Sequence, residues 1–318
     1  MVPDRRDFLK TAVLAAGAAA STVEVLESHA QTSTGFFGVH DFIERNPDAV
    51  FITRTNVTAK TDSAAIKNAA LGFARSMFVP KASGYPLTSL IPVKPDLSCS
   101  YTSDTRYSLE YGMGMVTDSF FVEGIIEGMK ELGIPGSKFA IREVNCPGDF
   151  EKRGYTAMAA RTGADIRDMS AIVGEIAEND LVWKDTPKGV WFRKIPFIRP
   201  VNAEGSFLVN IAKFKSFGMG MALAARNIQG AVAHSYDAFE TLYNQSMIMD
   251  PAHKNPNGFQ DIQANYNIHV SKGIPRWDKP GTDGGVWQET FASRVIDANS
   301  ATVAGLHIIE GIYGRDGN

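Results

Sequence analysis

Cysteine is scarce in this chain: Cys99 and Cys146 are its only two among 318 residues. Two thiolates cannot provide the four ligands of a usual iron–sulfur cluster, so no such cluster is expected. Whether the pair forms a disulfide is open, because spacing alone does not show that two cysteines meet. Each can equally pack as a small hydrophobe. A charge excess is lacking too. With 32 Lys and Arg against 35 Asp and Glu, the formal charge is −3, which gives no general attraction for nucleic acid or an anionic membrane. Beyond the N-terminus no apolar run approaches the roughly 20 residues that a spanning helix needs. Close metal-ligand spacing is missing around His40, His234, His253, His269 and His307. His234 and Asp237 are three apart, as on one helix face, but a surface or capping histidine accounts for this equally well. No Gly-x-Ser-x-Gly nucleophile elbow occurs. The four tryptophans, Trp183, Trp191, Trp277 and Trp287, are scattered as packing residues are.

What is present begins at the N-terminus. Arg5 and Arg6 precede Phe8, Leu9 and Lys10, and a short Ala- and Gly-rich apolar stretch follows. A basic region, a short apolar core and a small-residue cleavage site define an export signal, and paired arginines point to the twin-arginine (Tat) route. Ser28-His29-Ala30 places cleavage after Ala30. The expectation is a folded passage through the Tat machinery to the periplasm or the outside, with no membrane span in the mature chain. Residues 1–30 are then a signal, 31–59 a connecting segment and 60–318 one domain.

Within that domain, apolar residues recur at helical spacing from Asp62 to Phe78 and from Thr117 to Leu132, with Asp or Ser/Thr caps in front. Gly133 and Pro135 stop the second helix. Tyr155–Thr162 reads as a short helix ending at Gly163, and 286–299 as another. Strands are predicted at 139–144, 207–211 and 306–312, with an extended stretch at 189–198. The prolines at 80, 86, 92 and 95 read as strand edge and loop. Helices alternating with short apolar strands imply an α/β fold with a mixed, mainly parallel sheet flanked by helices. Residues 245–285, rich in Asn, Gln, Pro and Gly, read as a surface insertion.

The segment from Asn210 to Gly230 carries the most chemistry. An apolar strand runs into Lys213 and Lys215, then Gly218 and Gly220, and then a helix predicted over 221–228. Glycines admit close approach to a ligand, and free amides at a helix start favour an anion. That is the physics of a phosphate or carboxylate cradle. Solvated lysines on an ordinary strand–loop–helix are the plainer alternative. Arg226-Asn227 lies among small and apolar residues, so that charge is either paired or turned toward a site. If the lysines face a ligand, replacing Lys213 and Lys215 by Ala abolishes binding and leaves the melting temperature nearly unchanged. Glu310 and Asp316 could bind a cation through oxygen, or could simply be a strand-end carboxylate and a turn aspartate.

Several motifs together resemble the DUF362 proteins. Asn210-Ile-Ala-Lys-Phe-Lys-Ser-Phe217 is similar to that family's Pro-Lys-Leu-Lys-Thr-His strand end, and Ala222-Leu-Ala-Ala-Arg-Asn-Ile-Gln-Gly230 to its Leu-Ala-Leu-Lys-Asn helix with a following Gly. Lys94-Pro95-Asp96 resembles its Lys-Pro-Asn, Thr117-Asp118 its Thr-Asp helix start, and Ile309-Glu-Gly-Ile312 with Gly314-Arg-Asp-Gly-Asn318 its Asp-Gly-Ile and Gly-rich turn. Phe217 stands where the family usually has His, Ala212 replaces Pro, and Arg226 replaces Lys. The resemblance implies a DUF362-like α/β domain. Because the chain stops at Asn318 inside that turn, it also implies that the end of the domain is missing.

The ligand-binding candidates are therefore Lys94, Thr117, Asp118, Lys213, Lys215, Gly218, Arg226, Asn227, Gly230, Glu310 and Asp316. No metal ligand, cofactor or catalytic residue is identified. Three functions compete: an enzyme or cofactor protein with an anion site, a non-catalytic periplasmic binding protein using 245–285, and a protein loaded with a cofactor or metal before export.

Overall fold

The computed structural model describes residues 35–97, 114–144, 149–167, 176–187, 189, 192–217, 220–234, 236, 292, 294–303 and 305–315. The expected signal (residues 1–30), the expected insertion at 245–285, both cysteines, His253, His269, Gly218, Asp237 and Asp316 lie outside them.

The chain first builds a small antiparallel sheet. Strand β1 (Phe36–Val39) pairs with β2 (Phe78–Lys81) on one edge and β3 (Tyr85–Pro86) on the other. The segment 31–59 thus contributes a strand, and its Phe37 is fully buried. Between β1 and β2 runs helix α1 (Ser63–Met77), whose N-cap Asp62 accepts from the Ala65 amide at 2.9 Å.

The main sheet starts at β4 (Ile91–Pro95), continues to β5 (Phe139–Ile141) and reaches β6 (Asp165–Ile166), all parallel. Helix α2 (Ser119–Lys130) joins the first two strands and helix α3 (Tyr155–Thr162) the second two. An antiparallel hairpin follows, β7 (Leu181–Asp185) with β8 (Lys194–Ile198). The chain then returns to the other side of β4. There β9 (Val209–Phe217) pairs with it in parallel, and β11 (Leu306–Arg315) pairs with β9. The parallel order is β6-β5-β4-β9-β11, so the direction of winding reverses between β4 and β9. In open sheets of this kind, ligands bind beyond the carboxyl ends of the strands at such a reversal. The mainly parallel α/β sheet read from the sequence is the one observed.

One face is dry. Ile91, Val93, Phe139, Ile141, Val209 and Ile211 pack with Phe121, Val122, Ile125 and Ile126 of α2 and with Ile66 of α1 in a single apolar core. The two helices approach closely because Gly124 and Gly128 meet Ala70 and Ala74. A Cβ at position 124 would lie 2.3 Å from the Lys67 carbonyl oxygen. At the amino end of β9, Phe207 meets Phe37, Phe78 and Tyr85 edge-on at 5.3, 6.0 and 4.9 Å between ring centres, which joins the two sheets.

Two expectations change. The Pro-rich stretch does not end as edge and loop: Ile91–Pro95 is the central strand, buried at every position. Proline forfeits a ladder donor, yet Pro92 and Pro95 sit between β5 and β9, in register with Ala140 and Ile211. Burial of the apolar rings outweighs the lost bonds there. Second, the strand predicted over 207–211 runs on to Phe217, and no helix spans 221–228. The chain reverses between Phe217 and Gly220 into β10 (Gly220–Ala222), antiparallel to β9. Only a single helical turn, α4 (Ala224–Asn227), and a tight turn at Ile228–Ala231 follow. Of the helix predicted over 286–299, residues 294–300 are described and are helical.

Candidate functional site

Alternation along the strands sorts the polar residues onto two faces. Lys94 is in register with Asn210, whereas Lys213 and Lys215 share the side of Val209 and Ile211. Because β9 continues past the end of β4, its last lysines extend the apolar face into a polar rim at the carboxyl edge.

Lys94 is 1% exposed and forms an ion pair with Glu143, which lies just beyond the end of β5. Its ammonium also donates to the Pro95 carbonyl at 2.6 Å and to Asn227 Oδ1 at 2.9 Å. Asn227 in turn donates from Nδ2 to the Lys94 carbonyl at 3.0 Å and to Asn210 Oδ1 at 2.7 Å. Asn210 Nδ2 reaches the Ala224 carbonyl and His307 Nδ1, each at 2.8 Å. A polar chain thus crosses β5, β4, β9 and β11, with α4 laid over it. Gly230 is what lets the following turn close over this chain: a Cβ there would lie 2.2 Å from Glu143 Oε1 and 2.9 Å from Lys94 Nζ. The Gly230 carbonyl accepts from the Val144 amide at 2.7 Å.

On the helical side, Lys215 pairs with Asp96 at 2.9 Å and donates to the Met115 carbonyl. Lys213 pairs with Glu310, its register partner on β11, and the second Glu310 oxygen accepts from the Ile312 amide at 3.0 Å. Thr117 bridges the rim: its hydroxyl accepts from the Asp96 amide at 2.9 Å and donates to the Ile211 carbonyl at 2.8 Å. Asp118 caps α2, accepting from Phe120 N at 2.8 Å. Tyr155 donates to the Thr117 carbonyl at 2.8 Å.

Most of these groups are buried, and their acidities respond. Burial raises Glu143 to about 7 despite the opposing pull of Lys94. Burial likewise lowers Lys215; Asp96 counters this, while Arg226 adds to it. Asp118 is raised by burial against the amides it caps. Tyr155 is pushed up by burial and by the surrounding carboxylates and so stays protonated. His307 is lowered by burial of part of its ring.

Of the sequence candidates, the structure brings together Lys94, Thr117, Asp118, Lys213, Lys215, Arg226, Asn227, Gly230 and Glu310. The reading of Lys213 and Lys215 as solvated, or as ligand-facing with no part in the fold, does not hold, since both are at most 4% exposed and ion-paired. Removing one partner of such a pair costs about 3–5 kcal/mol, so the melting temperature would not stay unchanged. The cradle at a helix start is corrected too, because a single turn after a β hairpin offers no such terminus. Glu310 spends its oxygens on Lys213 and Ile312 rather than on a cation. Among the described residues no cluster of His, Cys, Asp and Glu could hold a metal ion.

Asp96, Glu143, Tyr155, Asn210 and His307 complete the site and were not among the candidates. Glu143 carried a usable signal: it is a charge placed at the end of a predicted apolar strand. His40 and His234 lie in other settings. His40 caps a helical turn by accepting from Phe42 N at 3.2 Å, and His234 contacts the Val144 carbonyl at 3.3 Å.

No curated protein and no solved structure matches the chain. A family model described as "Domain of unknown function (DUF362)" matches residues 91–318, which runs from the first residue of β4 through the whole polar rim. The chain belongs to the DUF362 family.

Proposed function

We propose that the chain is an exported protein that binds a small anionic ligand, phosphate- or carboxylate-bearing, at the carboxyl edge of the sheet between β4 and β9. One observation carries this reading: Lys94, Lys213 and Lys215 are all buried at the two strands where the winding reverses. A stable core gains little from buried ion pairs, which are often no better than apolar packing. Clustered, perturbed charges at a strand-end crevice are what ligand sites use. Lys215 and Arg226 act on each other as like charges, and an anion between them would relieve that repulsion.

The Tat-type N-terminus supports passage in the folded state, and the paired network is of the kind that must form before a ligand can bind. The test is thermal denaturation of the mature protein with inorganic phosphate, pyrophosphate, sulfate and malonate. A ligand at 100 times its Kd raises stability by about 2.7 kcal/mol. Arg226→Gln, at a half-buried position, should weaken that gain while keeping the unliganded melting temperature within a few degrees. No stabilisation by any of the anions would sink the reading.

A second reading, a protein loaded with a cofactor before export, rests on the same signal. An absorption spectrum and elemental analysis of natively exported protein decide it, and a colourless, metal-free product removes it.

A further inference from the structure

Glu143 is held through one of its two oxygens. Its Oε2 takes the Lys94 ammonium and the Leu97 amide, the latter at 3.3 Å. Its Oε1 accepts no hydrogen bond from the described residues and lies against Gly230, where a side chain would collide with it. Glu310, by contrast, has both oxygens engaged, one by Lys213 and the other by the Ile312 amide. The residue as a whole is only 4% exposed.

We infer that Glu143 is the acid–base group of this site, exchanging a proton through Oε1 with a ligand hydroxyl while Lys94 fixes Oε2. This deepens the anion-binding reading and rests on it. The ligand class it implies carries an anionic group for the lysines and a hydroxyl nearby, as in a small hydroxy acid or a phosphate ester of an alcohol. In the exchange, the ligand O–H bond breaks and an O–H bond forms at Oε1. The negative charge passes from the carboxylate to the ligand oxygen, and Lys94 keeps its proton throughout.

The charged and titratable groups facing Glu143 are Lys94 and Asp96 from β4 and the residue after it, Lys215 from β9, and Tyr155 from α3. Burial holds the carboxyl near neutrality, where either protonation state is accessible. The lack of a side chain at Gly230 gives Glu143 its place, and Lys94 with Leu97 supplies the orientation.

Isothermal titration of the mature protein with sulfate, which carries no titrating proton near neutrality, tests this in buffers of different ionisation enthalpy. An anion bound beside Glu143 disfavours its charged form, so wild type should take up a fraction of a proton at pH 7.5. Glu143→Gln should bind sulfate with no uptake. Equal uptake in both proteins would overturn the inference and leave anion binding intact. If sulfate binds neither protein, wild type labelled with 13C at glutamate Cδ decides the assignment instead. A glutamate carboxyl resonance titrating near neutrality, absent from Glu143→Gln, supports the assignment, and none titrating there refutes it. Should the Gln variant not fold, the wild-type spectrum alone is decisive: one resonance titrating near neutrality supports the assignment, and none refutes it.

Discussion

The side-chain amide of Asn227 holds Lys94 at both ends: its Oδ1 accepts from the ammonium at 2.9 Å, and its Nδ2 donates to the main-chain carbonyl of the same residue at 3.0 Å. The amide thereby fixes the lysine's extension and ties α4 to the central strand. Asn227→Ala removes one acceptor from the ammonium and strips donors from Lys94 O and Asn210 Oδ1. Each buried group left unpaired costs about 1–3 kcal/mol, so a loss of about 3 kcal/mol is expected from urea denaturation. Asn227→Asp keeps the acceptor and loses both donors, so it should be no better. A loss below about 1 kcal/mol for the Ala variant would show that the clamp contributes little.

The Lys213–Glu310 pair should behave as a coupled unit. Lys213→Met alone leaves a buried carboxylate without its partner, and Glu310→Met alone a buried ammonium, each at a cost of about 3–5 kcal/mol. The double variant leaves no buried charge. It still deprives the Ile312 amide of its acceptor, which limits the recovery by about 1–3 kcal/mol. A double-mutant cycle by denaturant melts is the check. Additive losses would mean that the two side chains are not paired in solution.

The fold was legible where periodicity and caps were strong. Asp62 and Asp118 cap the helices they were expected to open, and α3 has the predicted bounds. What misled was residue chemistry that tertiary burial overrode. Prolines 92 and 95 read as strand edge and loop, although both are buried within the central strand. Lys213 and Lys215 read as lying in a link beyond a strand that ends at Ile211. They actually continue the alternation of Val209 and Ile211 on one face, with carboxylates from β11 and from beyond β4 waiting for them. Those partners are far off in sequence, so no local pattern could announce them. Lys213 and Lys215 were found because a charge beside an apolar strand is conspicuous, and Lys94 because Lys94-Pro95-Asp96 resembles a family motif. Asn210 was missed as a site residue because an amide within such a strand is not.

Helix packing makes a prediction independent of the site. Gly124→Ala would place its methyl 2.3 Å from the Lys67 carbonyl oxygen and 2.7 Å from Ala70 Cβ, forcing α1 and α2 apart. Overpacking of this kind costs about 1–3 kcal/mol, although Ala is intrinsically the better helix former. A drop in melting temperature with an unchanged far-ultraviolet dichroism spectrum is the expected result. An unaltered melting temperature would mean that the helices are farther apart than the structure places them.

Glu123, also on α2, gives the acid side of the pH profile. It is buried, with Lys67 at 2.6 Å and Arg161 donating from two nitrogens. Burial alone would raise its pKa, but the hydrogen bonds from Arg161 and Lys67 outweigh it and the net shift is downward. A carboxyl lowered by folding contributes stability above its unfolded value, near 4.3 for glutamate, and that stability is lost as pH falls through the folded value. Lys67 and Arg161 are partly exposed, so salt should reduce the effect. Glu123→Gln should therefore be less stable than wild type at pH 7, and the two stability curves should converge as the solution is acidified below the ordinary glutamate range. Parallel curves down to the acid limit would show that the carboxylate is not the group these cations hold.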